Sequence, residues 1–305
     1  MSNPSPTRKF WQEAGRIPGY PLTEKIHGWF YMRFPYLYIA TGTGSNRLGR
    51  VGAAVIGFFQ RIFRPRAAKP GAITFADTYH GKVVPLRTAR ELVSVKENVR
   101  IPDLEQVIPY KLARSLILDQ PDHIAALDCP CRAARENPCL PLDVCLIIGE
   151  PFVGMVLKHH AQRARAITSA EAIEILEAEE ARGHVHHAFF KEAVLERFYA
   201  ICNCCSCCCG AMQAHRHGTP MLASSGYVAQ VDESRCVGCG ACESHCQFGA
   251  ITVNGISLVD RDNCMGCGVC VSHCPQEGIE LVLAPEKGIP LEMSKIGRAS
   301  CRERV

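Results

Sequence analysis

The chain has 305 residues, 47% hydrophobic and 21% charged, with a formal net charge of +4; that is enough for two domains with cores of their own. Its nineteen cysteines would suggest disulfides in a small secreted protein, but the chain is long and its opening residues lack the apolar core of a signal peptide. No apolar run reaches the ~18 residues that suggest a spanning helix, so the cysteines read as metal ligands in a reducing cytoplasm. In chain order, residues 1–70 form an aromatic and basic N-terminal segment. The apolar run 29–39 is broken by Arg33 and Pro35. Beyond it Leu48, Val51, Val55, Phe58, Phe59 and Ile62 recur at helical spacing, with arginines around the ends. A basic helix over 46–63 of this kind packs on its own domain, or lies on an anionic membrane surface as a peripheral contact. Gly42-x-Gly44 is no dinucleotide fingerprint, because Gly49 comes too late and no βαβ unit surrounds it.

Residues 71–222 read as a cysteine-rich, mixed α/β domain. The runs 82–86 and 92–95 look like short strands, and 109–118 looks like a helix with proline at its start. Cys129-Pro-Cys131-Arg132 is followed by Cys139 and Cys145, a set that could hold a metal with Arg132 neutralising or hydrogen-bonding the thiolates. Thr168 and Glu171 form a capping box for a helix. Ile173, Ile175 and Leu176 supply its apolar face, Gly183 closes it, and Glu174, Glu177, Glu179 and Glu180 read as its solvated face. His184, His186 and His187 follow, and a second helical run over 189–199 leads into Cys202, Cys204, Cys205, Cys207, Cys208 and Cys209. Thiols so crowded would oxidise or scavenge metal unless ligated. Adjacent cysteines point in different directions, so a subset of these ten cysteines is expected to build an additional site. A further iron–sulfur cluster is the first choice, zinc or another closed metal site the second, and metal-free redox thiols the third. The histidines, with His215 and His217, default to ordinary polar residues.

Residues 223–284 carry the most specific signal. Cys236-x2-Cys239-x2-Cys242-x3-Cys246 is repeated as Cys264-x2-Cys267-x2-Cys270-x3-Cys274, followed by Pro275. Three thiolates from a tight Gly-rich loop can each reach one iron of a cubane, while the fourth is carried by a short helix to the neighbouring cluster. That assigns Cys236, Cys239, Cys242 and Cys274 to one [4Fe–4S] cluster, and Cys264, Cys267, Cys270 and Cys246 to the other. Structural zinc, which uses four ligands usually as two separated pairs, has no need of a repeated triplet with a remote fourth cysteine. Residues 251–259 alternate across Asn254-Gly255, a hairpin signal. Residues 227–231 and 279–283 would pair as outer strands. Two oxidised cubanes bring about −2 each, so the loaded chain is near neutral and no nucleic-acid partner is expected.

These residues resemble the bacterial two-cluster ferredoxin domain over 227–283, which implies a pseudo-symmetric β-α-β dicluster fold. Gln247 stands where the first repeat would have its proline, a departure in the local turn but not in the ligands. More widely, Cys129–Arg132, the Gly183-x-Val-His186 helix end, the Cys202–Cys209 run and the dicluster motif together resemble a group of bacterial and archaeal iron–sulfur proteins over about 75–283. That resemblance implies anaerobic or low-potential electron transport and names no substrate. The expected fold class is α+β: a dicluster domain appended to a mixed α/β cysteine-rich domain. The expected function is electron transfer with an unidentified redox partner protein. A reductive or thiol-active oxidoreductase fed by the dicluster domain comes second, and a redox or metal sensor third. Residues 285–305 form a tail. Its last part, 295–305, back-translates in one frame onto a widely used short-read sequencing adapter, so the natural chain is expected to diverge near Lys295 and Cys301 is left out of every ligand count.

Overall fold

The structure, a computed structural model, describes residues 4–43, 73–101 and 104–293; the expected basic helix 46–63 and the tail 295–305 lie outside them. Among the described residues nine strands precede the C-terminal module: β1 (Tyr79–Val83), β2 (Val99–Ile101), β3 (Leu116–Leu118), β4 (Ile124–Leu127), β5 (Cys145–Ile148), β6 (Ala164–Ile167), β7 (Val185–Lys191), β8 (Arg197–Cys204) and β9 (Leu222–Ala223). Seven of them form one sheet in the order β6-β4-β5-β8-β7-β1-β9. Its pairings are antiparallel except β1 with β9.

Alternation along the strands splits the core into two layers. Ala125, Leu127, Ile147, Phe189 and Tyr199 face one layer, where the helices Pro6–Arg16, Leu22–Arg33 and Phe152–His159 bring Phe10, Tyr31, Met32, Phe152 and Val156. Ile124, Ala126, Leu146, Ile148, Phe190 and Phe198 face the other, against Ala89 and Leu92 of the helix Leu86–Val93 and Ala172 and Leu176 of the helix Ser169–Ala181. The apolar run 29–39 is two helices. The first ends at Phe34, and Pro35, with its fixed φ, starts the second, Pro35–Gly42.

Three secondary-structure readings change, and the run 82–86 is strand only as far as Val83, with Leu86 starting the next helix. Leu92 and Val93 end a helix, not a strand, because with Thr88 and Ala89 they make one buried helical face. The stretch 109–118 is not helical: Ala113 sits at φ 53, which breaks a right-handed helix, and the chain then enters β3. The stretch 189–199 is the β7–β8 hairpin, turned by Leu195 and Glu196 at φ 58 and 56. Every residue of β7 is buried, and a strand buried on both faces shows no alternation by which to tell it from a helix. The Ser169–Ala181 helix forms as read, with Thr168 accepting from the Glu171 N–H. Glu179 and Glu180 do not lie on a solvated face, however: they are 0% and 5% exposed.

The dicluster module has its own small core around Val228, Ile251 and Ile279. β10 (Tyr227–Val231) pairs antiparallel with β13 (Ile279–Leu283), and β11 (Ile251–Asn254) with β12 (Ile256–Val259) across Gly255. The short helices Ala241–His245 and Val269–Ser272 lie between them. Met265 and Val269, from the second cysteine loop, pack into the core layer that holds the N-terminal helices. The mixture of helices and sheets is α+β, and among the described residues no helix is long and apolar enough to cross a membrane.

Candidate metal centres

In the dicluster module each loop doubles back tightly enough to point three thiols inward. Gly238 and Gly266, at φ 65 and 63, make this possible: a Cβ on either would stand 2.1 Å from a backbone oxygen, of Gly255 and Tyr227 respectively. The fold brings the predicted cysteines together in two small cavities. One is lined by Cys236, Cys239, Cys242 and Cys274, the other by Cys246, Cys264, Cys267 and Cys270. Backbone N–H groups converge on the sulfurs, Ala250 on Cys246 at 3.2 Å, Gly278 on Cys274 at 3.3 Å, Ser257 on Cys236 at 3.4 Å and Ala229 on Cys264 at 3.5 Å. Such donors stabilise thiolate rather than thiol, so donor set and surroundings fit an anionic thiolate cluster. The quartets differ in exposure. Cys239 is exposed to solvent, whereas Cys264 and Cys270 are buried in the module's own core and Cys267 packs against the core layer of the N-terminal helices.

The ten cysteines of the N-terminal part separate into two groups. Cys202 and Cys204 share one face of β8, two residues apart, and β8 pairs with β5 so that Cys145 comes to 3.9 Å from Cys202. Cys129 and Cys131 arrive on the helical turn Pro130–Ala133 after β4, and Cys209 caps the helix Gly210–Arg216. Neighbour contacts then run from Cys145 to Cys129, Cys131, Cys209 and Cys204. All six line one mostly apolar cavity of about 210 Å³, whose wall Cys205 and Cys208 also reach. The remaining four, Cys139, Cys205, Cys207 and Cys208, form a knot at the border of that cavity whose sulfurs all lie within 4.8 Å of one another.

Four tyrosines that sequence reasoning missed also line the cavity: Tyr31, Tyr38, Tyr79 and Tyr199. The hydroxyls of Tyr31 and Tyr199 are 2.8 Å apart. Behind them the Lys191 ammonium lies 4.6 Å over Tyr79, 5.0 Å over Tyr31 and 5.2 Å over Tyr38. Burial pushes Lys191 down to about 8, while the three ring faces favour its charged form. Tyr31 and Tyr38 lie on successive helices broken at Phe34, so no spacing along the chain marked them as neighbours.

Beyond the hydrogen bonds of Cys131 and Cys145, Arg132 helps hold the Cys129 thiol down through its backbone N–H and its charge, while its guanidinium bonds elsewhere. Its guanidinium donates to Glu179 at 2.5 Å, to the Pro141 carbonyl at 2.5 Å and to the Asn203 carbonyl at 3.0 Å. Glu179 also takes His184 Nδ1 at 2.7 Å. Burial raises the Glu179 carboxyl, but His184 and Arg132 outweigh it and hold the group below its ordinary value. His186 lies opposite Asn203 in the β7–β8 ladder, bonded to it at 2.6 Å, and its other nitrogen faces Glu180 at 3.0 Å. Burial, helped by His186, pushes His187 down to about 3 and keeps it neutral.

These buried polar groups reach across to the dicluster module. Ser272 donates to Glu180 at 3.1 Å, and His273 Nε2 lies 3.2 Å from the Ala181 carbonyl. Gln247, the residue in place of the first proline, donates to the Gly183 carbonyl at 2.9 Å and accepts from the Ser206 N–H at 2.9 Å. One side chain beside ligand candidate Cys246 is thus tied into the turn that carries Cys205 and Cys207.

Residues 229–281 match the family model of a 4Fe–4S dicluster domain. No curated protein and no solved structure matches the chain. The family match spans the dicluster module, so this part of the protein is a ferredoxin-like 4Fe–4S domain.

Proposed function

We propose that the protein is an iron–sulfur electron carrier, or the electron-transferring part of an oxidoreductase, working in a reducing compartment such as the cytoplasm. Cys236, Cys239, Cys242 and Cys274 hold one [4Fe–4S] cluster; Cys246, Cys264, Cys267 and Cys270 hold the other. The observation that carries this reading is the sorting of eight cysteines into two cavities, each lined by one complete set of four. When bound, such clusters supply one-electron chemistry at a potential set by sulfur hydrogen bonds and burial. The repeated glycines and N–H···S contacts also support a pseudo-symmetric pair of β-α-β halves. The outer quartet, with exposed Cys239, faces a redox partner protein. The inner quartet faces the N-terminal domain, where a subset of the six cavity cysteines holds a third cluster.

Iron and acid-labile sulfide in anaerobically purified protein test this directly. About twelve of each per chain are expected for three cubanes, falling to about eight in a Cys145→Ser/Cys202→Ser variant. About eight in both proteins would remove the third cluster, and fewer in the wild type would remove the dicluster assignment.

A second reading, a reductive oxidoreductase, is favoured by the Tyr31–Tyr199 hydroxyl pair on the wall of the six-cysteine cavity. These hydroxyls could hand protons to a small molecule reduced there. Its mark would be a change in the electron paramagnetic resonance spectrum of the reduced protein on adding small thiols or disulfides. An unchanged spectrum across such a panel counts against it.

A further inference from the structure

We propose that Cys139, Cys205, Cys207 and Cys208 form a closed site for a single tetrahedral Zn²⁺ ion, separate from the iron–sulfur centres. The spacing of the sulfurs is the first argument. Zinc–thiolate bonds of about 2.3 Å set the edge of the sulfur tetrahedron at about 3.8 Å. Here all four sulfurs lie within 4.8 Å of one another, with Cys139 to Cys207 at 3.2 Å and Cys207 to Cys208 at 3.7 Å. The dicluster cysteines act as an internal standard. A cubane binds each thiolate to a different iron, which spreads the sulfurs, and among the described residues no three of those cysteines come so close.

The second argument is how the sulfurs are delivered. Cys205, Cys207 and Cys208 sit on one tight turn closed by the Cys209 N–H on the Cys205 carbonyl at 3.0 Å, and Cys139 comes from a remote loop. Polar contacts to that turn use its backbone and leave the thiols free to ligate. Arg135 donates to the Cys208 carbonyl at 3.0 Å and to Gln213 at 2.7 Å, and Gln213 donates to the Cys207 carbonyl at 2.7 Å. Four thiolates with no open position make a structural zinc site. At equal geometry the Irving–Williams order favours Zn²⁺ over Fe²⁺.

The placement gives the ion a task. Ser206, between two of the ligands, holds Gln247 of the dicluster module through its N–H. The ion fixes this turn, and the turn fixes the module. Cys205 and Cys208 also reach the wall of the six-cysteine cavity, so the knot borders it, and the assignment rests on the mutual distances of these four sulfurs.

The test is elemental analysis of the full chain purified anaerobically, with zinc-edge X-ray absorption on the same sample. One zinc per chain, surrounded by four sulfurs at about 2.3 Å, is expected. Cys139→Ser should lower zinc at least tenfold while leaving iron and sulfide at wild-type levels, and the retained iron reports an intact fold. Co²⁺ supplied to zinc-depleted wild type should give the intense visible bands of tetrahedral tetrathiolate cobalt, absent from Cys139→Ser. The absorption measurement needs no variant, so it decides the matter even if Cys139→Ser misfolds. Absence of zinc from the wild type, nitrogen or oxygen in its first shell, a rubredoxin-like mononuclear iron signal, or loss of about four irons with zinc retained in Cys139→Ser would each overturn the proposal.

Discussion

Replacing Arg132 by methionine should cost far more than an average core substitution. The guanidinium is 1% exposed and holds the buried Glu179 carboxylate at 2.5 Å together with the Pro141 and Asn203 carbonyls. Without it Glu179 keeps His184 at 2.7 Å and Arg182 at 3.1 Å, the latter half exposed at the rim. Breaking a buried pair by removing one partner costs about 3–5 kcal/mol, because the other charge stays buried. For a domain of roughly 200 residues each kcal/mol moves the thermal midpoint by about 2–4 °C, so a fall on the order of 10 °C is expected. Anaerobic thermal unfolding followed by near-ultraviolet circular dichroism reads the change. Adding Glu179→Gln to the variant removes the stranded charge and should restore about 1–2 kcal/mol. A single variant within 2 °C of wild type, or a double variant no better than the single, would refute the argument that Arg132 and Glu179 neutralise each other.

Two further outcomes follow from other buried groups. Lys191 and Lys82 are each pushed by burial from the usual 10.5 to about 8. The unfolded chain keeps those protons up to pH 10.5 while the folded chain releases them near 8, so folding stability should rise as pH climbs from 8 to 10.5. The gap is worth on the order of 3 kcal/mol per lysine, and Lys191→Met should abolish its share of the slope in urea midpoints measured across that range; an unaltered slope would show that the tyrosine cage keeps Lys191 charged. Gln247→Pro, which writes the proline of the second repeat into the first, removes two inter-domain hydrogen bonds and should cost about 1–3 kcal/mol. Hydrogen exchange should find the Ser206 amide deprotected while β10 amides are unchanged, and equal protection at Ser206 would contradict the joint.

The dicluster module was legible because its spacing is the chemistry. Each cysteine's offset is set by what a cubane demands, and the Asn254-Gly255 turn fixes the β11–β12 register without help from the rest of the chain. The larger domain was less legible where burial erased the pattern. β7 and most of β8 are covered on both faces, so the run 189–199 carried no alternation to tell strand from helix. Glu179 and Glu180 sit in a helix full of glutamates, and nothing local distinguishes them from Glu174 and Glu177. Only tertiary packing brings Arg132, His184 and His186 to them. The division of ten cysteines into six and four likewise depends on strand pairing. Cys145 meets Cys202 because β5 runs beside β8, a neighbourhood that no spacing along the chain contains.

The one irregularity in the cysteine repeat becomes intelligible through that packing. Pro275 follows Cys274, a member of the outer quartet, and helps line its cavity. Gln247 follows Cys246, a member of the quartet packed against the larger domain. Proline offers no donor and only a rigid turn, which suffices on the outer side. On the inner side the Gly183 carbonyl and the Ser206 N–H both face Gln247, and its amide can donate to the one and accept from the other, which proline cannot. The stacked rings of His245 and His273, 3.9 Å apart, carry the same contact along to the Ala181 carbonyl. The departure from the repeat therefore marks the side on which the module docks, and it places the inner quartet next to the cysteine turn of the neighbouring domain.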